Sequence, residues 1–426
     1  MALDFLKLID VKESYQAPIK IGKIMRDSEQ RTKLFDSFLA EQSDLSFDLF
    51  TEFFQAEQAD RKDKKQDYTP DGLVTVASEL LGSTTSNADI CAGTGGLTIK
   101  RWRDNPDARY YCEEFSDRAI PFLLFNLAIR NIDGIVWHGD SLTREEFATY
   151  KLSKGSQYSS IEKVNEKGLL DNNIKTDTVI MNPPYSMPWN PKPEYLQQPR
   201  FSEYEVLAPK SKSDYAFLLE GLYHLADNGT MSIILPHGIL FRGQAEAKIR
   251  KQLIENNYID AVIGLPDKLF LSTNIPTVVL VLKKNRTNHD VLFIDASKEF
   301  NKLNNKNELT RDNIDKIIST YKQRKSIDKY ASVVSYEDFV ENDFNLNIHR
   351  YVDTFEPEPV IPIGQTVKEL FELDQEEQRL FSELSLSVNA LVATQSLQDA
   401  HDLDKLKAYL NAKAKRKQVQ AQQELL

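Results

Sequence analysis

Between Tyr68 and Lys283 the chain repeats one pattern: a short run of β-branched and aliphatic residues, then a longer amphipathic stretch. Such runs suit strands buried on both faces, and the amphipathic stretches suit helices that cover them, the pattern of an α/β fold built on a mostly parallel sheet. The runs are Ala88–Cys91, Arg109–Cys112, Gly134–His138, Thr178–Met181, Thr230–Leu235, Asp260–Gly264 and Thr277–Leu282. Seven strands fit one doubly wound domain. In that topology the first and fourth strands are neighbours at the switch point, so the segments that follow them open into one crevice.

The flanks differ in character. From Ser28 to Asp67, Leu34, Phe35, Phe38, Leu39, Phe47, Phe50, Phe53 and Phe54 recur at helical intervals and predict the packed face of a small helical domain. Lys298 to Ile348 is polar, with helical periodicity around Ile314 to Tyr321, and Glu356 to Pro362 holds three prolines that mark a boundary. Beyond it Leu370, Leu373, Leu380, Leu384, Leu391, Leu403, Leu406 and Leu410 predict two helices, which either pair with a partner helix or form a self-contained hairpin.

Several function classes are excluded by composition. Asp4, Lys7 and Asp10 interrupt the N-terminal apolar stretch, so it is no signal-peptide core, and the longest apolar runs are too short to cross a bilayer. A soluble, cytoplasmic protein with no membrane partner is expected. The only cysteines, Cys91 and Cys112, lack any zinc-like spacing with histidine, so neither a metal site nor a disulfide framework is expected. A net charge of -11 is the wrong sign for gripping a nucleic-acid backbone unaided.

Two segments carry chemistry. The first, Asp89-Ile90-Cys91-Ala92-Gly93-Thr94-Gly95-Gly96, runs from a strand through a glycine-rich turn into a helix, where backbone can approach a ligand closely. About 20 residues on, Glu113 and Glu114 end the next strand, where an acid can accept both ribose hydroxyls of a nucleoside. The glycine spacing is not that of a nicotinamide site. The second segment, Asn182-Pro183-Pro184-Tyr185, follows the fourth strand and should meet the glycine turn in the crevice. The competing structural reading of this segment, a rigid turn with a packed tyrosine, is the weaker one even when it is taken alone.

Together these segments resemble amino-group methyltransferases. The resemblance implies a Rossmann-like fold, S-adenosylmethionine as cofactor, and adenine N6 in DNA as the methyl acceptor. It implies that the Asn182 side-chain oxygen and the Pro183 carbonyl accept the two amino hydrogens, that the proline ring locks this geometry in advance, that Pro184 belongs to the same catalytic motif, and that Tyr185 stacks on a base flipped out of the duplex. Leu265 to Thr277 resembles the family segment that supplies a second aromatic wall, implying Phe270 for that role. Three further matches are similar to the modification subunits of type I restriction-modification systems. Asp67-Tyr68-Thr69-Pro70, with Gln66 beside it, resembles a cofactor-contacting segment. His138-Gly139-Asp140-Ser141-Leu142 resembles the site where an aspartate holds the cofactor adenine. Asn345 to Tyr351 resembles a Leu-Asn-Ile-Pro-Arg-Tyr element, with His349 where proline is usual. The implied cofactor residues are Gln66, Asp67, Tyr68, Thr69, Pro70, Asp89, Ala92, Gly93, Thr94, Gly95, Gly96, Glu114 and Asp140.

The expected division is a helical region over 1–66, a catalytic domain over 67–297, a helical or irregular extension over 298–360 and a partner-binding helical region over 361–426. The implied partners are DNA, a specificity subunit, a second modification subunit and, where a cognate nuclease exists, a restriction subunit. Competing readings are a stand-alone adenine methyltransferase acting on DNA or RNA, a protein-glutamine methyltransferase, and a scaffold with a vestigial pocket.

Overall fold

The computed structural model describes residues 5–51, 53, 69–164, 174–270, 274–304, 306–355, 362–392 and 396–423. All seven expected strands are present: β1 Ser86–Ile90, β2 Arg109–Glu114, β3 Gly134–Asp140, β6 Thr176–Met181, β7 Leu225–Pro236, β8 Ile259–Gly264 and β9 Thr277–Lys283. They lie in the order β3-β2-β1-β6-β7-β9-β8, with β9 antiparallel to both its neighbours and the remainder parallel. Six of the seven residues of β9 are buried, which explains its continuous apolar run.

Four more strands extend the sheet to eleven. β4 Glu145–Ser153 and β5 Ser160–Val164 add to the β3 edge, while β10 Val291–Asp295 and β13 Ala331–Val334 add beyond β8. β4 and the edge strand β5 are half-exposed and charged, and charge at a sheet margin discourages further pairing. A separate hairpin, β11 Asn301–Leu303 and β12 Lys306–Glu308, lies within the stretch read as helical or irregular. The periodic part of that stretch is the helix Arg311–Gln323, opened by a capping box between Thr310 and Asn313 and burying Ile314, Ile317, Ile318 and Tyr321.

The N-terminal aromatics do not pack on one another alone. Phe5, Phe35, Phe38 and Phe50 enclose Phe122 and Phe125, with ring centroids as close as 4.9 Å for Phe35–Phe125 and Phe50–Phe122. All ten residues of the helix Ile120–Ile129 are buried, so it needs a cover on the side away from the sheet, and the N-terminal helices Ala17–Arg26 and Ser28–Glu41 supply it. Phe47 is exposed, against the helical-face expectation, and Phe54 lies outside the described residues.

Residues Met1–Thr354 form one compact unit and Phe355–Leu426 a second. The second is a pair of long helices, Ile363–Asn389 and Leu397–Gln423, running antiparallel around buried Val388 and Leu410, with Asn411 bonded to Ser385 and Asn389. Leu370, Phe371, Leu373, Leu380 and Leu384 are exposed on it. Among the described residues, no helix is long and apolar enough to cross a membrane.

Candidate active site

At the C-terminal ends of β1, β2, β3 and β6 the first unit holds a cavity of about 470 Å³. The turn after β1 forms its floor. Cys91, Gly93 and Gly95 all have positive φ, at 94°, 59° and 103°, and the turn hands the chain to the helix Gly96–Asp104. Ala92, Gly93 and Gly96 line the cavity. Gly95 does not. Its Cα faces Leu123, where an added Cβ would come within 3.0 Å of the leucine side chain.

Neighbouring acids at the end of β2 part company, because successive strand residues face opposite sides. Glu114 lines the cavity, and its carboxylate accepts the Gly93 amide at 2.8 Å and the Ser116 amide at 2.7 Å. Glu113 turns into the core. Asp140, ending β3, lines the cavity and accepts the Leu142 and Thr143 amides at 2.9 and 3.2 Å.

Asn182, Pro183, Pro184 and Tyr185 follow β6 and form the facing wall. Asn182 donates to Thr69 Oγ1 and accepts from the Tyr185 hydroxyl, both at 2.7 Å. Phe270 is nearly fully buried beneath Tyr185, with ring centroids 5.6 Å apart at an interplanar angle of 86°. The two expected aromatic walls therefore meet edge to face, which leaves no slot for a base between parallel faces.

Two other expected cofactor residues stand behind the cavity. Asp89 is buried within β1, where its carboxylate accepts the Thr98 hydroxyl at 2.8 Å and burial pushes its carboxyl up to about 7. Thr94 is buried and donates to Asp48. Pro70 precedes the helix Asp71–Glu79 as its N-cap, and Gln66, Asp67 and Tyr68 lie outside the described residues.

The sequence reading missed Asp48, which lines the cavity from the N-terminal region. It accepts from the Phe50 amide, the Thr51 and Thr94 hydroxyls and Asn126 Nδ2, pinning the glycine turn to the helix Ile120–Ile129. Lys100, Arg103, Met187 and Phe217 also line the cavity. Acids still dominate the field at the floor: burial, together with Glu114, Asp89, Glu113 and Asp140, pushes the Cys91 thiol well above its ordinary value.

Behind β2 lies a buried ionic network. Glu113, Glu220 and His224 bring their ligand atoms within 4.8 Å of one another, a spacing that could hold a cation. Arg144 already binds Glu113 at 2.8 Å and Glu220 at 2.9 Å, and Arg200 binds Glu220 at 2.5 Å. Burial opposes charge on His224, but hydrogen bonds to Glu113 and Glu220 outweigh it and push the imidazole up to about 9. The position a metal would take is thus filled by an imidazolium and two guanidiniums.

Comparison with known proteins agrees with this architecture. The N-6 DNA Methylase family matches residues 42–359. The type I restriction enzyme MpnII methylase subunit of Mycoplasma pneumoniae is 35% identical over 277 residues, 62% of this chain and 48% of that protein. The type I restriction enzyme MjaVIII methylase subunit of Methanocaldococcus jannaschii is 28% identical over 323 residues, 72% of this chain and 53% of that protein. This chain therefore spans about half the length of these relatives. The crystal structure of a type I restriction-modification methyltransferase subunit from Streptococcus thermophilus superposes with a TM-score of 0.60 at 40% identity, covering 68% of this chain and 59% of that one. The sheet is that of a Rossmann-like methyltransferase fold, with further strands at both sides of the central seven. The match across residues 42–359, on a sheet whose switch point joins the glycine turn to Asn182–Tyr185, shows that the chain belongs to the N-6 DNA Methylase family.

Proposed function

We propose that the chain transfers a methyl group from S-adenosylmethionine to N6 of an adenine flipped out of DNA, as the cytoplasmic modification subunit of a type I restriction-modification complex. The observation that carries this reading is the convergence of Glu114, Asp140 and the Gly93 turn with Asn182–Tyr185 on one cavity. The donor set suits the cofactor: carboxylates at two strand ends fit ribose hydroxyls and an adenine amino group, and an acidic floor fits a sulfonium cation. Glu114 and Asp140 would hold the nucleoside, with Thr69, Ala92 and Gly93 beside it. When bound, S-adenosylmethionine supplies an electrophilic methyl group.

Adenine N6 is a poor nucleophile because its lone pair is delocalised into the ring. Asn182 Oδ1 and the Pro183 carbonyl would accept its two hydrogens and so return electron density to the nitrogen, from positions that the proline ring fixes in advance. In this structure Oδ1 already accepts the Tyr185 hydroxyl. The incoming amino group meets an acceptor that the hydroxyl already engages, and the edge contact between Tyr185 and Phe270 gives the base no parallel slot between the two rings.

Sequence choice is assigned to a separate specificity subunit, with a second copy of this chain and a restriction subunit completing the complex. The net charge of -11 and the exposed leucines of the helical pair Ile363–Asn389 and Leu397–Gln423 support a partner that brings the DNA. Truncation after Pro362 should preserve cofactor binding and abolish both co-elution with the specificity subunit and site-specific methylation. Site-specific methylation by the purified chain alone would overturn the subunit reading.

A further inference from the structure

We infer that Asp214 is a positioning residue for the transfer motif, clamping the peptide that leaves Tyr185, and that Arg242 braces the clamp from a second loop. The inference rests on the methyltransferase reading of the cavity. Ser186, immediately after Tyr185, has φ 49°, a left-handed conformation that an L side chain adopts only when its surroundings impose it. The imposing group is the Asp214 carboxylate. It accepts the Ser186 amide at 2.7 Å and the Ser186 hydroxyl at 3.3 Å. Arg242, from the loop after β7, donates to the same carboxylate at 2.7 Å and to Ser186 Oγ at 3.3 Å. A second rung lies alongside, where both the Ser213 amide and its hydroxyl donate to the Met187 carbonyl at 2.9 Å.

Two consecutive residues after the motif are thus tied to two consecutive residues at the start of the helix Asp214–His224. That helix is rigidly held: Tyr215, Phe217, Leu218 and Leu219 are buried in the main core, and its N-terminus favours a carboxylate. Asp214 is itself fully buried, and its carboxylate is enclosed by these donors. The clamp fixes one side of Tyr185 while Asn182 holds its hydroxyl. Released, Ser186 would relax to ordinary backbone and carry the tyrosine away from Asn182. Glu114, Asp140 and the Gly93 turn sit on other strands, so this loss should fall on transfer and spare cofactor binding.

The test uses the full chain with its specificity subunit, calorimetric titration with S-adenosylmethionine, and methyl incorporation into unmethylated genomic DNA, with rates normalised to cofactor-binding sites. Asp214→Ala should bind cofactor within about twofold of wild type and lower kcat by about 10–100-fold, the scale on which small misplacement costs rate. Asp214→Asn keeps an acceptor for the Ser186 amide and should recover most of the loss. Should Asp214→Ala fail to fold, a second pair decides: Ser186→Gly keeps both the N–H and the conformation and should exceed Ser186→Pro, which can keep neither, by at least about tenfold. Equal normalised rates within either pair overturn the positioning role. A wild-type complex that binds cofactor but transfers no methyl group overturns instead the reading on which the role rests.

Discussion

The two halves of the cavity are built differently. On the cofactor side each acid is fixed by main chain: Glu114 accepts the Gly93 and Ser116 amides, and Asp140 the Leu142 and Thr143 amides. On the transfer side the contacts run from side chain to side chain, from Thr69 to Asn182 to Tyr185 to Phe270. Backbone amides at the end of a sheet cannot easily move, whereas a hydroxyl and a ring can. The first half is set to receive a ligand of fixed shape. The second must open for a base that arrives from a duplex and then reuse the acceptor that Tyr185 occupies.

The largest expected effect tests whether the halves are separable. Asn182→Ala removes the acceptor that matters as charge develops on N6, so methyl transfer should fall by about 10²–10³-fold, the scale of losing one preorganised polar group. Cofactor affinity, measured by calorimetry, should stay within a few-fold of wild type. If affinity falls in step with turnover, Asn182 supports the fold of the whole cavity and the contrast between the halves disappears.

A smaller effect is expected from the opposite half. Gly95→Asp places a side chain at φ 103° and against Leu123. Strain of roughly 1–3 kcal/mol should reappear as about 10–100-fold weaker cofactor binding, although residue 95 does not line the cavity. An unchanged dissociation constant would show that the turn tolerates distortion and is not the rigid side of the cavity.

These two halves were unequally legible in the sequence. The seven central strands could be read because burial on both faces leaves continuous apolar runs, as in Thr277–Lys283. β4 was hidden because, although paired with β3 and β5, it is half-exposed and keeps Glu145, Glu146 and Lys151 among its apolar residues. β10, Val291–Asp295, is fully buried but only five residues long, and it follows a polar stretch. Motif spacing brought Glu114, Asp140 and Asn182 to one place, since strand ends are ordered by topology. It could not say which face a motif residue takes, so Asp89, Thr94 and Gly95 were expected at the cavity and stand behind it. Asp48 had no motif to announce it. Its partners Thr94 and Asn126 lie 46 and 78 residues away, and only the packing of the N-terminal helices brings them together. The edge-on meeting of Tyr185 with Phe270 is likewise a matter of rotamers rather than of residue type.

The smallest effect concerns the ground beneath the cofactor half. Asp89 is fully buried, burial pushes its carboxyl up to about 7, and nearby Glu114 adds to the rise while the Thr98 hydroxyl opposes it. Its ordinary value is about 3.9, so folding favours the protonated acid. Folded stability contributed at this site is therefore greatest below pH about 4 and is lost progressively as pH rises through 7, by an amount on the order of 3–4 kcal/mol for so complete a burial. Asp89→Asn cannot titrate. It keeps an acceptor for Thr98, but its amide nitrogen would fall where Asp89 Oδ1 finds no partner among the described residues, a cost of about 1–3 kcal/mol. The wild-type loss is about 1.5 kcal/mol at pH 5, towards the lower end of the Asn cost, and exceeds that cost at pH 7 and above. In denaturant unfolding the Asn variant should be less stable than wild type at pH 5 and as stable or more stable at pH 8. Binding of S-adenosylmethionine should be little changed, because residue 89 does not line the cavity. A stability difference that stays constant from pH 5 to 8 would mean that the carboxylate remains ionised throughout, and that main chain alone does not account for the rigidity of this half.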